Sequence, residues 1–451
     1  MRNEMPIQDQ YKDKYFFHFT HLDNLKDILI NGLLSTNEKK AKKIIHLDVA
    51  SPDIQCTRNQ MAVPCGPKGK VHDYVPFYFC SRTPMFLSII KSRNYDQPYF
   101  ISFAVSFNKL KNKKFIFTNK AANRRFDPPE FYDCPTHLDE LSWSIIESRS
   151  WSCANDSIKH KKMAEALHYG SFHISDVDYI VVWNEWFKDH VEKAFNEQGI
   201  KCPPIHFDGH NNYYHYYYDL NSSERNSSLV HGPIITKETF EAIVDQVNNR
   251  REVVNNHYKF DDIEDALHAV REDFSNIDEL DGIVNLQTDN KVHSENVEAH
   301  TRRVVKNLIE SSEYKKLNER EKLVVEFAAF LHDVGKGPKS RWPYGKQKVD
   351  DDHPRKSGEY IERILVEDIN CLPKKLVRQI VLLVMYHDFF GDHLVSGRLL
   401  SEMIDILESE SELNMLYALA KADVISIHKP WYTDKVSEWE TAYETIMETF
   451  E

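Results

Sequence analysis

The chain has few cysteines, and they form no recognisable ligand or disulfide pattern. Its 451 residues include seven cysteines, an odd number, and no Cys-x-x-Cys pair occurs. This argues against a disulfide framework and a zinc knuckle and fits a reducing cytoplasm. No apolar run reaches the roughly 18 residues of a membrane span, and the first residues lack the apolar core of a signal peptide. We therefore expect a cytoplasmic protein without a membrane span.

Glycine is also scarce, with 14 in 451 residues, which argues against long flexible or low-complexity regions. A chain of this length exceeds one ordinary core, so two or three domains are expected. The net charge of −13 is unevenly distributed, because residues 1–180 carry 25 Lys+Arg and 20 Asp+Glu, whereas the rest carry 32 and 50. A mildly basic half favours nucleic-acid contact by that half alone; surface scatter of charge is the alternative.

The hydrophobic pattern differs between the two halves. Up to residue 200, short apolar runs rich in aromatic and β-branched residues alternate with turns, which predicts a mixed α+β fold. From residue 236 onward, apolar residues recur at helical spacing, which predicts an all-helical region. We predict strands at 16–20, 77–80, 99–105, 114–117 and 179–183, and short helices at 22–31 and 85–91.

A polar segment separates the two patterns. Residues 221–228 read Asn-Ser-Ser-Glu-Arg-Asn-Ser-Ser, a composition typical of a linker. We therefore predict a first domain over residues 1–220, a linker over 221–235 and a helical region over 236–451.

The first domain contains two motifs that fall on these predicted elements. His18-Phe19-Thr20 ends the first predicted strand, and the aromatic run Val-His-Asp-Tyr-Val-Pro-Phe-Tyr-Phe occupies residues 71–79. With the helix that follows the first strand, they are typical of a cradle for NAD. Over roughly residues 14–215 the pattern closely resembles the DarT family of DNA ADP-ribosyltransferases. The resemblance implies an α+β ADP-ribosyltransferase fold and NAD as the ADP-ribose donor.

ADP-ribosyl transfer requires NAD to be held bent while positive charge develops on the ribose. The resemblance assigns the binding part of this task to three residues. His18, with Thr20 on the same strand, is expected to contact the ribose on the nicotinamide side, and Tyr78 is expected to stack on nicotinamide. Phe77 and Phe79 alternate with Tyr78 along the strand and are expected in the core.

Two further residues resemble the family's catalytic pair. Glu165 lies in a Lys-Lys-Met-Ala-Glu-Ala-Leu segment and is expected to bond the ribose 2′-hydroxyl and to orient or deprotonate the acceptor. Arg58 ends an Ile-Gln-Cys-Thr-Arg segment and can grip a pyrophosphate or a base edge through its planar guanidinium. The chain departs from the family pattern at 56–57 and 166–168, so Glu140 and Glu147 are alternative glutamates.

The resemblance also implies the acceptor. Members modify bases in single-stranded DNA, so thymidine is expected here, with guanosine as the alternative. Single-stranded DNA should lie across basic and aromatic side chains. The candidate basic clusters, each of which has a solvated surface as its alternative explanation, are Lys39, Lys40, Lys42 and Lys43; Lys111, Lys113 and Lys114; and Arg124 with Arg125.

The helical region contains a second set of polar residues. His300 lies in Glu-Ala-His-Thr, His332 and Asp333 open His-Asp-Val-Gly-Lys, and Asp423 follows Ala-Leu-Ala-Lys-Ala. Their order resembles the His…His-Asp…Asp metal site of the HD phosphohydrolase superfamily. The resemblance implies an all-α bundle, with a core of about residues 290–430, in which these four side chains hold one divalent metal.

Two intermediate histidines match extra positions seen in many HD domains. His353 and His387 are expected on the same cavity wall, where such histidines bind phosphate or a second metal. Imidazole and carboxylate ligands suit Mn, Fe, Ni, Co or Mg. A bound metal lowers the pKa of a water molecule that attacks phosphate, and Lys336 is placed to steady the developing charge.

Together the resemblances predict a toxin or phage-defence enzyme that ADP-ribosylates DNA. Its HD domain would hydrolyse a nucleotide or nucleic-acid phosphate or regulate the first domain. Two alternatives stay open: the HD domain is the main activity and the first domain a nucleic-acid-binding module, or both sites are degenerate and the protein is a sensor. A toxic activity also needs restraint, by a separate antitoxin protein or by the HD half.

Overall fold

The computed structural model describes residues 7–49, 52–150, 153–217, 231–253, 257–289 and 295–450. The chain divides into two compact units: the first runs to residue 217 without 92–95, and the second comprises 92–95 and the chain from 218. The polar segment 221–228 lies outside the described residues. The next helix begins at Pro233, inside the predicted linker 221–235. The domain boundaries stay a prediction.

A mixed β-sheet forms the centre of the first unit. Its strand order is β5-β4-β6-β2-β1-β3-β7-β8, and every neighbouring pair is antiparallel except β7 with β8. β6 and the two shortest strands, β5 and β8, are not among the strands predicted from the sequence. The strands are β1 Tyr15–His21, β2 Tyr74–Tyr78, β3 Phe100–Ser106, β4 Phe115–Thr118, β5 Phe131–Tyr132, β6 Glu165–Tyr169, β7 Tyr179–Val182 and β8 Ile205–Phe207.

Short helices lie between these strands in sequence. Several begin with a side-chain cap, since Ser35, Asn155 and Asn184 each accept a backbone N–H of the first helical turn. The helices of the first unit are α1 Leu25–Asn31, α2 Thr36–Ala41, α3 Pro52–Gln60, α4 Pro84–Lys91, α5 Trp143–Ile146, α6 Asp156–Lys162 and α7 Glu185–Glu197.

Aromatic side chains fill the core of the first unit. Phe16 on β1 is fully buried, and its ring centroid lies 5.2 Å from those of Phe77 on β2 and Phe115 on β4. Phe77 and Phe79 are buried, as the alternation along the strand predicted. The packing of these rings fixes β1 and β2, and with them the polar residues that alternate with the aromatic ones.

Helices make up most of the second unit, which confirms the expected all-helical class. A two-residue parallel ladder of β9 Gln287–Thr288 and β10 Lys346–Gln347 is a small departure from it. No helix in the described parts of the chain is both long enough and apolar enough to cross a membrane. The helices are α8 Pro233–Val253, α9 Ile263–Glu272, α10 Asp278–Asp281, α11 Val297–Glu310, α12 Ser312–Lys316, α13 Glu319–Leu331, α14 His353–Arg363, α15 Lys374–Tyr386, α16 Phe389–Ser396, α17 Ser401–Ile404, α18 Glu410–His428, α19 Pro430–Thr433 and α20 Val436–Met447.

Candidate active sites

A cleft of about 170 Å³ opens in the first unit beside β1 and β2. These strands share one registered pair, Phe17 with Tyr78, whereas β1 pairs with β3 along its whole length. Gly32 lies at the cleft wall with φ +76°, and a Cβ there would approach the carbonyl oxygen of Phe172 to 2.7 Å. Only glycine fits this turn without strain. Of the predicted site residues, the cleft is lined by His18, Thr20, Arg58 and Tyr78.

His18 presents one ring nitrogen as an acceptor. Its Nδ1–H donates to the carbonyl oxygen of Pro76 at 2.7 Å, which leaves Nε2 without a proton. Burial lowers the pKa of His18 to about 4, and nearby Lys39 adds to the effect. The imidazole is therefore neutral at pH 7 and can accept a hydrogen bond from a hydroxyl.

Thr20 is held by an asparagine that also orders the opposite wall of the cleft. Asn24 Nδ2 donates to Thr20 Oγ1 at 3.2 Å and to the carbonyl oxygen of Leu47 at 3.1 Å, and its Oδ1 accepts the Leu47 N–H at 2.8 Å. Asn24 thus joins β1 to the segment after α2. Its sequence position, four residues after Thr20, is the feature from which its place beside the cleft could be predicted.

Tyr78 sits at the end of β2 with its ring near Phe19, at a centroid distance of 6.0 Å and an interplanar angle of 18°. Its hydroxyl lies 3.0 Å from Sδ of Met85. Burial raises the pKa of Tyr78, and the negative charge of Glu165 raises it further, so the side chain stays a neutral phenol. A neutral aromatic ring at a cleft wall suits stacking on a planar ligand.

Arg58 and Glu165 form a buried, bidentate ion pair. The two guanidinium nitrogens donate to the two carboxylate oxygens at 2.8 and 2.9 Å, and the residues are 8% and 1% exposed. Glu165 also accepts the Ala122 N–H at 3.0 Å. Burial opposes the charge of Arg58, but contact with Glu165 outweighs it and raises the pKa of the arginine. Glu165 begins β6 and pairs in register with Tyr78, so it lies behind two residues that line the cleft, Tyr78 and Arg58, and is not itself a lining residue.

The alternative glutamates lie elsewhere. Glu140 and Glu147 are both exposed, and Glu147 pairs with Lys14.

Of the candidate basic clusters, Lys40, Lys42 and Lys43 are exposed, but Lys39 differs from its neighbours in sequence.

Lys39 turns into the cleft wall. Its Nζ lies 2.8 Å from Nε2 of His46, and burial lowers the pKa of the lysine. A second contact without a sequence signal is that of His72 Nε2 with Gln55 Oε1 at 2.9 Å, which ties α3, the helix that carries Arg58, to the segment before β2. Burial, reinforced by the charge of Arg58, lowers the pKa of His72 to about 4.

The second unit brings its predicted polar residues together from several helices. His300 is on α11, His332 and Asp333 follow α13, and Asp423 is on α18. His300 Nε2 lies 2.9 Å from Asp423 Oδ1 and 3.7 Å from Asp333 Oδ2. His332 Nε2 lies 3.4 Å from Asp333 Oδ2.

His353, at the start of α14, and His387, at the end of α15, face the same carboxylate. His353 Nε2 lies 3.2 Å from Asp333 Oδ1 and 3.2 Å from Nε2 of His387. The donor atoms form two groups of three, and within each group the atoms lie within 4.8 Å of one another. The first group comprises His300, His332 and Asp333, and the second comprises Asp333, His353 and His387.

Hydrogen bonds to the backbone select the histidine tautomers. Nδ1 of His332, His353 and His387 donates to the carbonyl oxygens of Ala329, Asp350 and Val384 at 2.7, 2.8 and 2.9 Å. In the neutral ring each Nε2 carries a lone pair, and His332 Nε2 is buried without a hydrogen-bond partner, 3.4 Å from Asp333 Oδ2. Burial lowers the pKa of His332, but Asp333 and Asp423 outweigh it and raise the pKa. Two facing lone pairs 3.2 Å apart repel unless a cation or proton lies between them. The donor set therefore fits a divalent metal.

The charge state of these residues agrees with that fit. Burial alone would raise the pKa of Asp333, but His332 and Lys336 hold it well below its usual range. Lys336 Nζ donates to Asp333 Oδ2 at 2.6 Å. Burial lowers the pKa of His387 to about 4, and His332 adds to the effect, so this imidazole is neutral.

A serine and a glycine position the His-Asp turn. Ser357 Oγ donates to the carbonyl oxygen of His332 at 2.7 Å and accepts the Gly335 N–H at 2.9 Å. A Cβ at Gly335 would meet backbone atoms of His353 and Ser357 at 2.3 Å. The turn can pack this closely on the helix that carries His353 only because residue 335 has no side chain.

Comparison with known proteins finds a match in each half of the chain. A family model described as "ssDNA thymidine ADP-ribosyltransferase, DarT" matches residues 17–218, and one described as "HD domain" matches residues 297–413. Asp423 lies beyond the second match. A "DNA ADP-ribosyl transferase" of Thermus aquaticus is 35% identical over 196 residues, which cover 42% of this chain and 84% of the relative.

Two further similarities are to proteins of Thermus sp. 2.9. A "DNA ADP-ribosyl transferase" is 32% identical over 188 residues, or 40% of this chain and 87% of that protein. A solved structure, DarT in complex with ADP-ribosylated ssDNA, has 27% identity, covers 46% of this chain and 99% of its own, and has a TM-score of 0.41.

The first unit is thus an NAD-dependent ADP-ribosyltransferase module, and the second contains an HD domain. The chain belongs to the DarT family of DNA ADP-ribosyltransferases. The roles of its individual site residues stay predictions.

Proposed function

We propose that the first unit transfers ADP-ribose from NAD to a thymidine base of single-stranded DNA. The observation that carries this proposal is the buried pair of Arg58 and Glu165 beside a cleft lined by His18, Thr20 and Tyr78. The description of the matching family and the shared name of the relatives support DNA as the acceptor.

Glu165 serves both halves of the reaction. The bond between ribose C1′ and the nicotinamide nitrogen breaks, its electron pair leaves with nicotinamide, and a buried carboxylate stabilises the positive charge on the ribose. Thymine N3 then bonds to C1′, and its proton passes to Glu165 as general base.

Arg58 controls when that carboxylate is available. A carboxylate that accepts two guanidinium hydrogen bonds is a weak base, so Arg58 must turn partly away as the substrates enter. Its planar guanidinium then faces the pyrophosphate or the edge of the acceptor base. In this scheme Nε2 of His18 accepts a hydrogen bond from a ribose hydroxyl, and the ring of Tyr78 stacks on nicotinamide.

Mass spectrometry of single-stranded oligonucleotides tests the reaction and the base. Oligonucleotides with one thymidine or one guanosine in an otherwise adenosine and cytidine context are incubated with NAD and the protein. The thymidine oligonucleotide should gain one ADP-ribose. Modification confined to the guanosine oligonucleotide would refute thymidine and support the guanosine alternative.

We also propose that the second unit holds one divalent metal and hydrolyses a phosphate ester of a nucleotide or nucleic acid. His300, His332, Asp333 and Asp423 would hold the metal, which supplies a water of lowered pKa when bound. The buried, unpartnered Nε2 of His332 supports this. Lys336 Nζ donates a hydrogen bond to Asp333 Oδ2 at 2.6 Å, and from there its side chain can rotate to contact a phosphate.

Two assays on the full-length protein address this second activity. Elemental analysis identifies the bound metal, with Mn, Fe, Ni, Co and Mg as the candidates. Phosphate release from mononucleotides and short oligonucleotides, with and without Asp333→Ala, measures hydrolysis. Metal without any release of phosphate would leave regulation of the first unit as the role of the HD domain.

We further propose a toxin or phage-defence role, restrained by a separate antitoxin protein or by the HD half. Growth of cells that express the wild type, Glu165→Ala or Asp333→Ala separates these alternatives. Toxicity should depend on Glu165. If Asp333→Ala is more toxic than the wild type, the HD half provides restraint; equal toxicity favours a separate antitoxin.

A further inference from the structure

The loop between β4 and β5 carries a large apolar side chain almost wholly in solvent. Phe126 is 97% exposed, and Arg124 and Arg125 directly precede it. Phenylalanine is among the residues most often buried, and a single exposed one needs no special explanation. The setting of this ring, directly after two arginines on a loop whose base contacts the reaction site, is what makes it informative.

The base of this loop is attached to the reaction site. The buried Ala122 donates its N–H to Glu165 Oε1 at 3.0 Å, and its carbonyl oxygen accepts from Arg58 at 3.5 Å. The preceding residue, Ala121, donates to the carbonyl oxygen of His160 at 3.0 Å. Phe126 follows Ala122 by four residues, so its backbone lies at most about 14 Å from this contact.

The tip of the loop is braced. Lys120 pairs with Asp127 across it, and Glu130 N–H donates to Asn119 Oδ1 at 3.1 Å. Arg124 pairs with Asp156 at 3.0 Å. Two consecutive prolines follow at 128 and 129 and restrict the backbone further. An aromatic ring presented by a braced loop loses little conformational entropy when it contacts a ligand.

Arg125 differs from Arg124 in its environment. It is exposed, and within the described parts of the chain it makes no ion pair. The loop therefore offers one ring and one uncommitted positive charge within a few nucleotides of the reactive base. Aromatic rings that stack on bases, with basic groups that follow the backbone phosphates, are the general means of holding single-stranded nucleic acid.

We propose that Phe126 stacks on a base of single-stranded DNA that flanks the modified base, while Arg125 contacts an adjacent phosphate. The proposal rests on the proposed function, because it assumes that DNA is the acceptor. Every base has a π-face, so the ring sets the position of the strand, whereas base identity is decided in the cleft.

Variants of the full-length protein test the ring. Phe126→Ala should raise the Kd and KM for a single-stranded oligonucleotide about 5- to 100-fold, and Phe126→Trp should restore wild-type values. Phe126→Leu, apolar but without a π-face, should behave like Phe126→Ala. The melting temperature and the Kd for NAD should not change. Tyr344→Ala, which removes a fully exposed aromatic ring of the second unit, is the matched control and should bind DNA normally.

Substrates with a single abasic nucleotide locate the contact. For the wild type, one abasic position beside the reactive thymidine should raise the Kd, whereas Phe126→Ala should be insensitive there. Equal DNA affinity of the wild type and Phe126→Ala, or full rescue by leucine, would overturn the proposal. Phe126-dependent DNA binding by a protein that transfers no ADP-ribose would support the stacking contact while refuting the proposed reaction.

Discussion

The two units bury polar clusters of opposite design. In the first, Glu165 is the only carboxylate of the predicted set. It pairs with the guanidinium of Arg58, so the two charges cancel. In the second, two carboxylates lie among several histidines: Asp333 contacts Lys336 and His353, and Asp423 contacts His300. The first site is therefore formed by the chain alone, whereas the second is a set of donor atoms that fits a divalent cation. A preformed ion pair and a set of side chains suited to bind a metal therefore require different tests.

The largest expected effect is on catalysis in the first unit. Glu165→Ala should lower the rate of ADP-ribosyl transfer by about 10²- to 10⁴-fold, since it removes a general base. Single-turnover transfer to a thymidine oligonucleotide measures this. Glu140→Ala, which removes an exposed glutamate, should keep the wild-type rate, and full activity of Glu165→Ala would contradict the assigned role.

Arg58→Ala should break the self-neutralised pair and destabilise the first unit. An unpaired buried carboxylate costs about 3–5 kcal/mol, so denaturant unfolding should show a loss of this size. Lys188→Ala, which breaks the exposed pair with Glu185, should cost at most about 1 kcal/mol. Adding Glu165→Ala to Arg58→Ala should recover part of the loss; no recovery would show that packing, not charge, causes it.

Metal removal should weaken the second unit and leave the first unchanged. A metal present at 100 times its Kd stabilises the folded state by about 2.7 kcal/mol, so chelation should lower the melting temperature of this unit. Asp333→Ala should abolish both the bound metal and the response to the chelator. His268→Ala, at an exposed histidine, is the control. A wild-type protein without metal and without response to Mn, Ni or Mg would show that the cluster is a relic.

The smallest expected effect is the pH dependence of His18. Burial lowers its pKa from 6.5 to about 4, so the unfolded chain binds the proton first as the pH falls. The wild type should lose roughly 2 kcal/mol of stability from this group between pH 8 and pH 5. His18→Gln lacks the titrating ring and should show a shallower decline in denaturant unfolding. Parallel curves for the two proteins would refute a buried, neutral His18.

Much of the fold could be predicted from local pattern. β1, β3 and β4 fall within about one residue of the predicted ranges, because runs of aromatic and β-branched residues are visible in the sequence even where, as in β3 and β4, nearly the whole strand is buried. The change to helical spacing likewise identified the class of the second half. β5 and β8 were not predicted because two or three residues are too few to establish a period, and β6, at Glu165–Tyr169, was not predicted as a strand either.

The candidate sites could be predicted only as sets of chemical groups. His18, Thr20 and Tyr78 were identified as members of one site, and the structure places them on one cleft. The side chain of Lys39 was grouped with its solvated neighbours, yet it faces the cleft. The Ala122 N–H on Glu165 has no side-chain signal at all, because a backbone donor is common to every residue except proline.

Sequence by itself establishes which groups this protein can use: a histidine, an arginine and a glutamate in one half, and histidines with two aspartates in the other. Only the tertiary structure decides how they combine. Arg58 and Glu165 are 107 residues apart, and His300 and Asp423 are 123 apart, yet each pair meets within 3 Å. The physical reason is that periodicity in the sequence reflects only which nearby residues are buried or exposed. Charge pairing depends on which elements, far apart in the sequence, pack together.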